Sequence, residues 1–452
     1  MENYIIQLQT LFKNKVLNAV GAERDFLTLL NDGDISKALD MMQDRHEDVD
    51  NAILEYNPQT HKVMHRRDKP RKGDEPYHTE KLPRARQRYI NEVELFFLLG
   101  KDVDFRMLSE ETDNEFQLFN RFISANRMHS LHRQWKRLAG AETEAAIVFH
   151  LYSDNGDIAC KPFVACRSTG YDIRPLFDQY GNLLAFAYGY KVRRNAKTVQ
   201  RWEFLTPTMN FECERGDMGW IVTPRENLTG KINAIYARQP KAWDGVEQRI
   251  EREEMSDSKA GDTNNYFADP VAYATADVVQ LMGKEKENIG RLIQYTGAGS
   301  KFGYIEPPQD SASRASEMKA LKESILFDTF TPDLSYDTIK GLGSLSGEAI
   351  KNSLVLGFIK RANRMEIYGE LLDREVNVIK AILQVQHPEM HFDRLEIETV
   401  FQPPFDDFTD ETNTVTLHNA GLMSTDTAVR KLNYAENPDE EVHKIQAQSR
   451  TE

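Results

Sequence analysis

The sequence predicts an α+β fold, with an antiparallel sheet set into a mostly helical chain. Three observations carry this expectation. Before about residue 140 and after about residue 310, apolar residues recur at helical spacing. From Glu144 to about Tyr236 the pattern changes to short β runs separated by turn signals. Between the sheet and the last helices, Phe267 to Pro308 reads as a small compact unit of its own, flanked by two helices.

Taken in order, the first 55 residues read as helical, with Leu27, Leu29 and Leu30 followed by Ile35, Leu39 and Met42. Asn31-Asp32-Gly33-Asp34 breaks them, and Asp34 is the expected N-cap of the second helix. From His61 to Arg88, ten Lys or Arg face four Asp or Glu, with three prolines. That composition predicts a basic loop or arm. It reads either as a loop offsetting nearby acidic surface or as a nucleic-acid arm, although it lacks the interleaved aromatics that base stacking uses.

Tyr89 to Leu99 predicts a helix stopped by Gly100 as its C′ glycine. Glu115 to Leu138 predicts one amphipathic helix with Phe116, Phe119, Phe122 and Ile123 on a stripe. The β segment holds AAIVFHLY, DNGDIACKPFVA, DQYGNLLAFAYGYKV, TVQRWEFLTPTMNFECER and MGWIVTPREN, with hairpin turns at Asp154-Asn155-Gly156 and Gln179-Tyr180-Gly181-Asn182.

After Pro240-Lys241-Ala242-Trp243, the stretch Asp244 to Asn265 carries acids at 244, 247, 251, 253, 254, 257 and 262. With so few apolar residues it is expected to need neighbouring copies or a partner to be ordered. In the small unit, Ala272 to Val279 and Arg291 to Tyr295 read as strands, and Ser311 to about Phe327 as the following helix. The glycine-rich stretch GLGSLSG, Gly341–Gly347, precedes the longest helical pattern, Ser346 to about Val385. Ser346 is its N-cap, Pro388 its end, and Ile350, Leu354, Phe358, Ala362, Ile367, Leu371, Val378 and Ile382 its apolar stripe. RLEIETVFQPPF then reads as a strand, and the tail as two helices separated by Gly421, the second capped by Ser424 or Thr425.

The 452 residues allow two or three domains. Lys plus Arg is 57 and Asp plus Glu 71, a net charge of −14, which argues against a binder that neutralises phosphates over a broad basic face. It suits a channel through which DNA slides. No apolar run reaches membrane-spanning length, and MENYIIQLQTLFKNKVLNAV mixes charge and apolar residues too closely for a signal peptide, so a soluble protein that is cytosolic, or assembled in the cytosol, is expected. Cys160, Cys166 and Cys213 form no CxxC pair and no disulfide framework, and are read as reduced thiols rather than metal ligands.

Catalytic patterns fail one by one. The Gly-Lys pairs at 100, 230 and 283 lack the upstream glycine and following Ser or Thr of a phosphate-binding loop. GLGSLS has Ser346 where a dinucleotide fingerprint has its third glycine, and TFTPDLSYDTIK before it is not a buried strand. Leu345 stands where GxSxG would place its nucleophile. His129 and His132 have helical spacing but no HExxH, and read as surface or satisfied histidines; Asp406-Asp407 and Glu440-Glu441 read as solvated carboxylates. No catalytic residue, metal or cofactor is expected, and the protein is read as not an enzyme.

Several segments, in order, resemble the portal proteins of tailed bacteriophages. YINEVELFFLL (residues 89–99) resembles their early helix, and PLFDQYGNLLAFAYGYKV their wing sheet. YFADPVAYATADVV with IGRLIQYTGAG resembles the clip, and TFTPDLSYDTIKGLGSLSGEAIKNSLVLGF the tunnel loop entering a long helix. GLMSTDTAVRKLNY with NPDEE is similar to the family's closing helix. The basic segment 61–88 has no counterpart in this resemblance.

The resemblance implies a portal fold: wing 1–240, first stem helix 241–266, clip 267–310, second stem helix 311–330, tunnel loop 331–345, long helix and returning strand 346–403, and crown 404–452. It implies a dodecameric ring at one capsid vertex of the virion, passing double-stranded DNA during packaging and ejection. The implied partners are a separate terminase, the major capsid and scaffolding proteins, and a head-completion adaptor, with no membrane. Leu334, Ser335, Tyr336, Asp337, Thr338, Ile339, Lys340, Gly341, Leu342, Gly343 and Ser344 would line the channel, with Ser346 and Gly347 as helix start and hinge. Lys284, Lys286 and Arg291 would meet terminase or adaptor through the clip. The stem helices would pack on copies of themselves, and an acidic wall would keep DNA from sticking. The alternatives are a nucleotide-dependent enzyme using Gly341–Gly347, or a non-portal capsid or scaffold protein.

Overall fold

The structure is a computed structural model describing residues 26–68, 78–154, 157–194, 197–268, 272–275, 301–304, 311–336, 338, 340, 354–404, 408–432, 441–442, 444–445 and 447. After a helical stretch at 26–31, the helices are α1 (Ile35–Met41), α2 (His46–Tyr56), α3 (Arg86–Leu99), α4 (Asp113–Ala125), α5 (Met128–Glu142), α6 (Glu247–Ala268), α7 (Ser311–Asp328), α8 (Val355–Gln386), α9 (Phe408–Asn419) and α10 (Thr425–Leu432). The strands are β1 (Asp104–Met107), β2 (Glu144–Asp154), β3 (Asp157–Ala165), β4 (Asp172–Phe177), β5 (Leu183–Arg194), β6 (Lys197–Leu205), β7 (Met209–Gly216), β8 (Gly219–Glu226), β9 (Ala234–Arg238), β10 (Ala272–Thr275), β11 (Lys301–Tyr304) and β12 (Ile397–Val400). They form two units. One comprises the residues up to Arg45, Asn91–Gln239 and Phe330 onward; the other comprises His46–Ile90 and Pro240–Thr329.

In the first unit α8 crosses a core of Leu98, Phe119, Trp135, Tyr368, Leu372, Ile379 and Ile382. The helix expected over 115–138 is two helices, because Arg127 takes φ +52 between α4 and α5. Both the backbone and the side-chain nitrogens of Asn126 donate to Phe122 O at 3.1 Å, which ends α4 without glycine or proline. The bend lets Phe119 on one helix and Trp135 on the other enter the same core. Gly100 does not adopt the left-handed form expected of a C′ glycine. Asp34 occupies the N-cap of α1, but its carboxylate takes Lys37 at 2.7 Å rather than a backbone N–H.

α8 ends before His387-Pro388, as the proline requires, while the expected start at Ser346 lies outside the described residues. Of its expected apolar stripe, Leu354, Val378 and Ile382 are buried, Ile367 and Leu371 pack half-buried against the core, and Ile350 lies outside the described residues. Ala362 is exposed, and the buried face runs through Gly357, Lys360, Tyr368, Leu372, Glu375, Ile379 and Ile382. Two charged residues, Lys360 and Glu375, lie on that face, and a purely apolar search passes over them.

Gly357 is there for contact, since a Cβ would sit 2.3 Å from Phe97 Cζ. The Phe97 ring is itself held edge-on by Phe96 at 5.6 Å and Phe358 at 5.5 Å. Alanine gains about 1 kcal/mol of helix propensity over glycine, but overpacking a confined core costs about 1–3 kcal/mol. Gly357→Ala is therefore expected to destabilise by up to about 2 kcal/mol, read as a lowered urea midpoint at unchanged slope.

The β segment forms two sheets where one was expected: β3-β2-β9, and β4-β5-β6-β7-β8, all antiparallel. The apolar run at the start of β2 is buried on both faces. Ala145, Ile147 and Phe149 meet the helical core, whereas Ala146 and Val148 meet Phe186, Tyr188 and Tyr236. The opposite face of the larger sheet packs Ala187, Trp202, Phe204 and Phe211 on Phe26, Leu30, Ile35 and Ala38. Edge strands β3, β4 and β8 each contain a proline, Pro162, Pro175 and Pro224, which withholds a donor from any added strand. The turn expected at 179–182 is present: Asp178 Oδ1 accepts Tyr180 N and Asn182 N at 2.8 Å, and Gly181 has φ +85. Asn155 and Gly156 lie outside the described residues, between the paired Asp154 and Asp157.

β1 and β12 pair from Asp104↔Val400 to Met107↔Ile397, giving RLEIETVFQPPF its expected strand. In the tail Gly421 has φ +73, and Ser424 Oγ accepts Thr427 N at 3.2 Å, capping α10.

The second unit has a small core of Ile90, Ala242, Trp243, Val246, Ile250 and Ile325, with Tyr56 and Tyr89 against it. α6 and α7 lie side by side, joined by Arg252–Glu317 at 2.7 Å and by Arg249–Asp328. Beyond them β10 and β11 pair antiparallel, partly matching the strands expected at 272–279, whereas 276–300 lies outside the described residues.

Beside the neighbouring copies or partner expected to order it, α6 has partners within its own chain. The described part of the basic segment runs antiparallel along it. Glu80 N donates to Asp262 Oδ1 at 2.7 Å, Leu82 N to Ser258 Oγ at 2.9 Å and Arg84 N to Glu254 Oε1 at 2.8 Å. Two residues of extended chain advance about 6.6 Å and four residues of helix about 6.0 Å, so the two periods stay in step. Side chains add Arg66–Asp262 at 2.6 Å, bidentate Arg86–Glu253 at 2.6 and 2.9 Å, and Arg84–Asp257. His61 bridges Glu254 at 2.6 Å and the Glu55 carbonyl at 2.8 Å. Gly261 admits the strap, since a Cβ there would sit 2.9 Å from Glu80 Cγ. Of the two readings of the basic segment, its described residues follow the charge-offsetting one.

Candidate nucleic-acid interface

The segment expected to face DNA follows α7. Phe330 has φ +50, a left-handed backbone that costs a side-chain-bearing residue about 1–2 kcal/mol. Thr331 and Pro332 are buried, and Asp333 Oδ1 then accepts Ser335 N at 3.1 Å in a local turn. Ser335 Oγ lies 3.1 Å from Thr338 Oγ1. Past this turn Tyr336 is 79% exposed and Lys340 is exposed as well. Leu334, Ser335, Tyr336, Thr338 and Lys340 are thus described: Leu334, Ser335 and Thr338 are half-buried, and Tyr336 and Lys340 are exposed. Asp337, Ile339, Gly341, Leu342, Gly343, Ser344, Ser346 and Gly347 lie outside the described residues, as do Lys284, Lys286 and Arg291 of the clip.

The base of this segment rests on a buried charge cluster that periodicity did not reveal. Glu94 of α3 takes Lys136 of α5 at 2.5 Å, and Arg364 and Lys360 of α8 at 3.0 and 3.5 Å. Lys360 also donates to Thr331 Oγ1 at 3.2 Å. Gln239 donates to Glu94 at 3.2 Å and accepts from the Tyr368 hydroxyl at 2.7 Å. Burial alone would raise the Glu94 pKa, but the charges of Lys136, Arg364 and Lys360 outweigh it and hold the carboxyl well below its usual range. Burial pushes Lys136 down despite Glu94, and Lys360 down to about 8.

The available signal was a charged residue falling on an apolar helical face: Glu94 inside NEVELFFLL, and Lys360, Arg364 and Tyr368 at four-residue steps on α8. His132, read as a surface or satisfied histidine, is buried, with its Nε2 2.7 Å from Oε2 of the equally buried Glu375. The three cysteines are unpaired. Glu253, Glu254 and Asp262, three acids of the charge-dense stretch 244–265, are buried beneath the strap of their own chain. Among the described residues no group of three or more His, Cys, Asp or Glu stands together as a metal site, and no helix is long and apolar enough to cross a membrane.

Residues 36–452 match the family described as phage portal protein, SPP1 Gp6-like. The chain belongs to the phage portal family. Its role is that of a portal, the connector between the head and tail of a phage particle, and it works as an oligomeric ring in the capsid joined to other phage proteins. That family is a structural one, and neither alternative, a nucleotide-dependent enzyme or a non-portal capsid protein, is favoured. No curated protein matches this portal. Among solved structures it is similar to a chain from the neck of a native GTA particle computed with C12 symmetry, at 10% identity and a TM-score of 0.39, covering 76% of this portal and 89% of that chain.

Proposed function

We propose that copies of this chain close a dodecameric ring through which double-stranded DNA is packaged and later ejected, and that residues 331–346 line its narrowest part. The observation that carries this is that Tyr336 and Lys340 are exposed beyond the left-handed Phe330 and the buried Thr331 and Pro332, in a chain of the portal family. Lys340 adds sparse positive charge, and contacts with phosphate from so few cations are weak and salt-sensitive. A separate terminase drives the DNA. The clip, 267–310, meets terminase and the head-completion adaptor through Lys284, Lys286 and Arg291, and the ring also meets the capsid and scaffolding proteins. α6 and α7 serve as the stem helices, and the virion portal vertex, reached after assembly in the host cytoplasm, is where the ring works.

Gly341 and Gly343 give the lining its backbone freedom as DNA advances. The double variant Gly341→Ala/Gly343→Ala is expected to form rings of normal size by negative-stain microscopy while the DNA packaged per head falls. Normal packaging, or failure to form rings at all, counts against the lining role.

A further inference from the structure

Glu94 already has Lys136 at 2.5 Å and Arg364 at 3.0 Å, both nearer than Lys360 at 3.5 Å. A third buried cation adds repulsion from the other two, and burying an ammonium is costly by itself. Methionine has nearly the same length and would fill the site with neither penalty. What methionine would not supply is a donor to Thr331, whose Oγ1 takes the Lys360 ammonium at 3.2 Å with both residues buried. Thr331 directly follows Phe330, whose φ of +50 is a conformation held only where the surroundings determine it. The contact therefore joins the strained entry of the exposed segment to the second turn of α8.

We infer that Lys360 is a positioning residue whose ammonium ties Thr331 to the Glu94 cluster and so sets where the DNA-facing segment leaves the core. This rests on the lining role of 331–346 and involves no contact between Lys360 and DNA. Replacing either end of the tie frees the segment while sparing the helices behind it.

The test is amide hydrogen exchange on the full-length protein, comparing wild type with Lys360→Met, Thr331→Val, the double variant and Lys360→Arg. Losing a charge-assisted hydrogen bond is expected to speed exchange over 333–340 by about tenfold in each single variant. The double variant should exchange no faster than the faster single one, since both remove one contact. Lys360→Arg, which keeps charge and donor, should stay nearer wild type than Lys360→Met. Amides of α3 and α5 around Glu94 and Lys136 should be unchanged. Unaltered exchange over 333–340, additive effects in the double variant, or equal loosening of α3 and α5 each overturns the inference. If Lys360→Met frees the segment but the glycine variant packages normally, the tie stands and the lining role fails. If the glycine variant blocks packaging while Lys360→Met leaves exchange unaltered, only the tie is lost.

Discussion

Glu94→Gln is expected to destabilise the first unit by about 3–5 kcal/mol, the cost of leaving buried charge without its partner. The side chain is fully buried, and three cations converge on it: Lys136, Arg364 and Lys360. Glutamine keeps the shape and can still accept hydrogen bonds, but it leaves three positive charges with no carboxylate among them. The measurement is the urea midpoint, followed by amide exchange in α3, α5 and α8. A loss under about 1 kcal/mol would mean that the cluster is not dry enough for its charges to matter. Substituting Glu94, Lys136, Lys360 and Arg364 together by methionine should recover much of the loss, because replacing an entire buried ion cluster by apolar groups is near neutral.

The same carboxyl sets a pH dependence of defined sign. Its folded pKa lies below its unfolded value, so its stabilisation is present above about pH 4.5 and fades as the pH falls through the folded value. The stability gap between wild type and Glu94→Gln should therefore narrow on acidification and hold steady between pH 5 and 7. Lys360 acts at the other end of the scale. Its pKa is lowered to about 8 from an ordinary 10.5, so its burial cost is full below pH 8 and is relieved as the pH rises toward 10.5. Lys360→Met should abolish that alkaline gain, measured as the difference between the two stability curves.

Trp243→Ala is expected to cost about 3–5 kcal/mol in the second unit. The indole is fully buried, its Nε1 donates to Glu55 Oε2 at 2.9 Å, and Tyr56 packs on it with ring centroids 5.6 Å apart. Few apolar residues share that core, so the collapse available to fill the cavity is small. Amide exchange over 46–68, 78–90 and 247–268 should rise on the order of a hundredfold or more, and proteolysis within 61–88 should accelerate with it. If exchange instead rises equally in α5 and α8 of the first unit, the two cores are not energetically separate.

Much of the fold was legible because it is written locally. Pro388 stops α8, Gly421 and Ser424 punctuate the tail, and Asp178 to Asn182 make their turn within five residues. The two sheets were read as one because hairpin signals report which strands are neighbours in sequence, whereas β9 joins β2 across 234–238 with no turn to announce it. The break at Arg127 carries no glycine or proline and is set by what α4 and α5 both bury. Of the candidate DNA-facing segment, its position after α7 and its exposed Tyr336 and Lys340 followed from the order of motifs, but its anchoring did not.

By itself the sequence determined the order of elements, the α+β class and the family, because turn residues, apolar periodicity and motif order act over a few residues at a time. Only the tertiary structure decided which charges are buried and what they hold. Lys360 meets Thr331 and Glu94, and Glu80, Leu82 and Arg84 meet a helix more than 160 residues away along the chain. Whether a charged side chain is solvated or interior depends on the partner that folding brings to it, and a buried ion is tolerated only where that partner arrives.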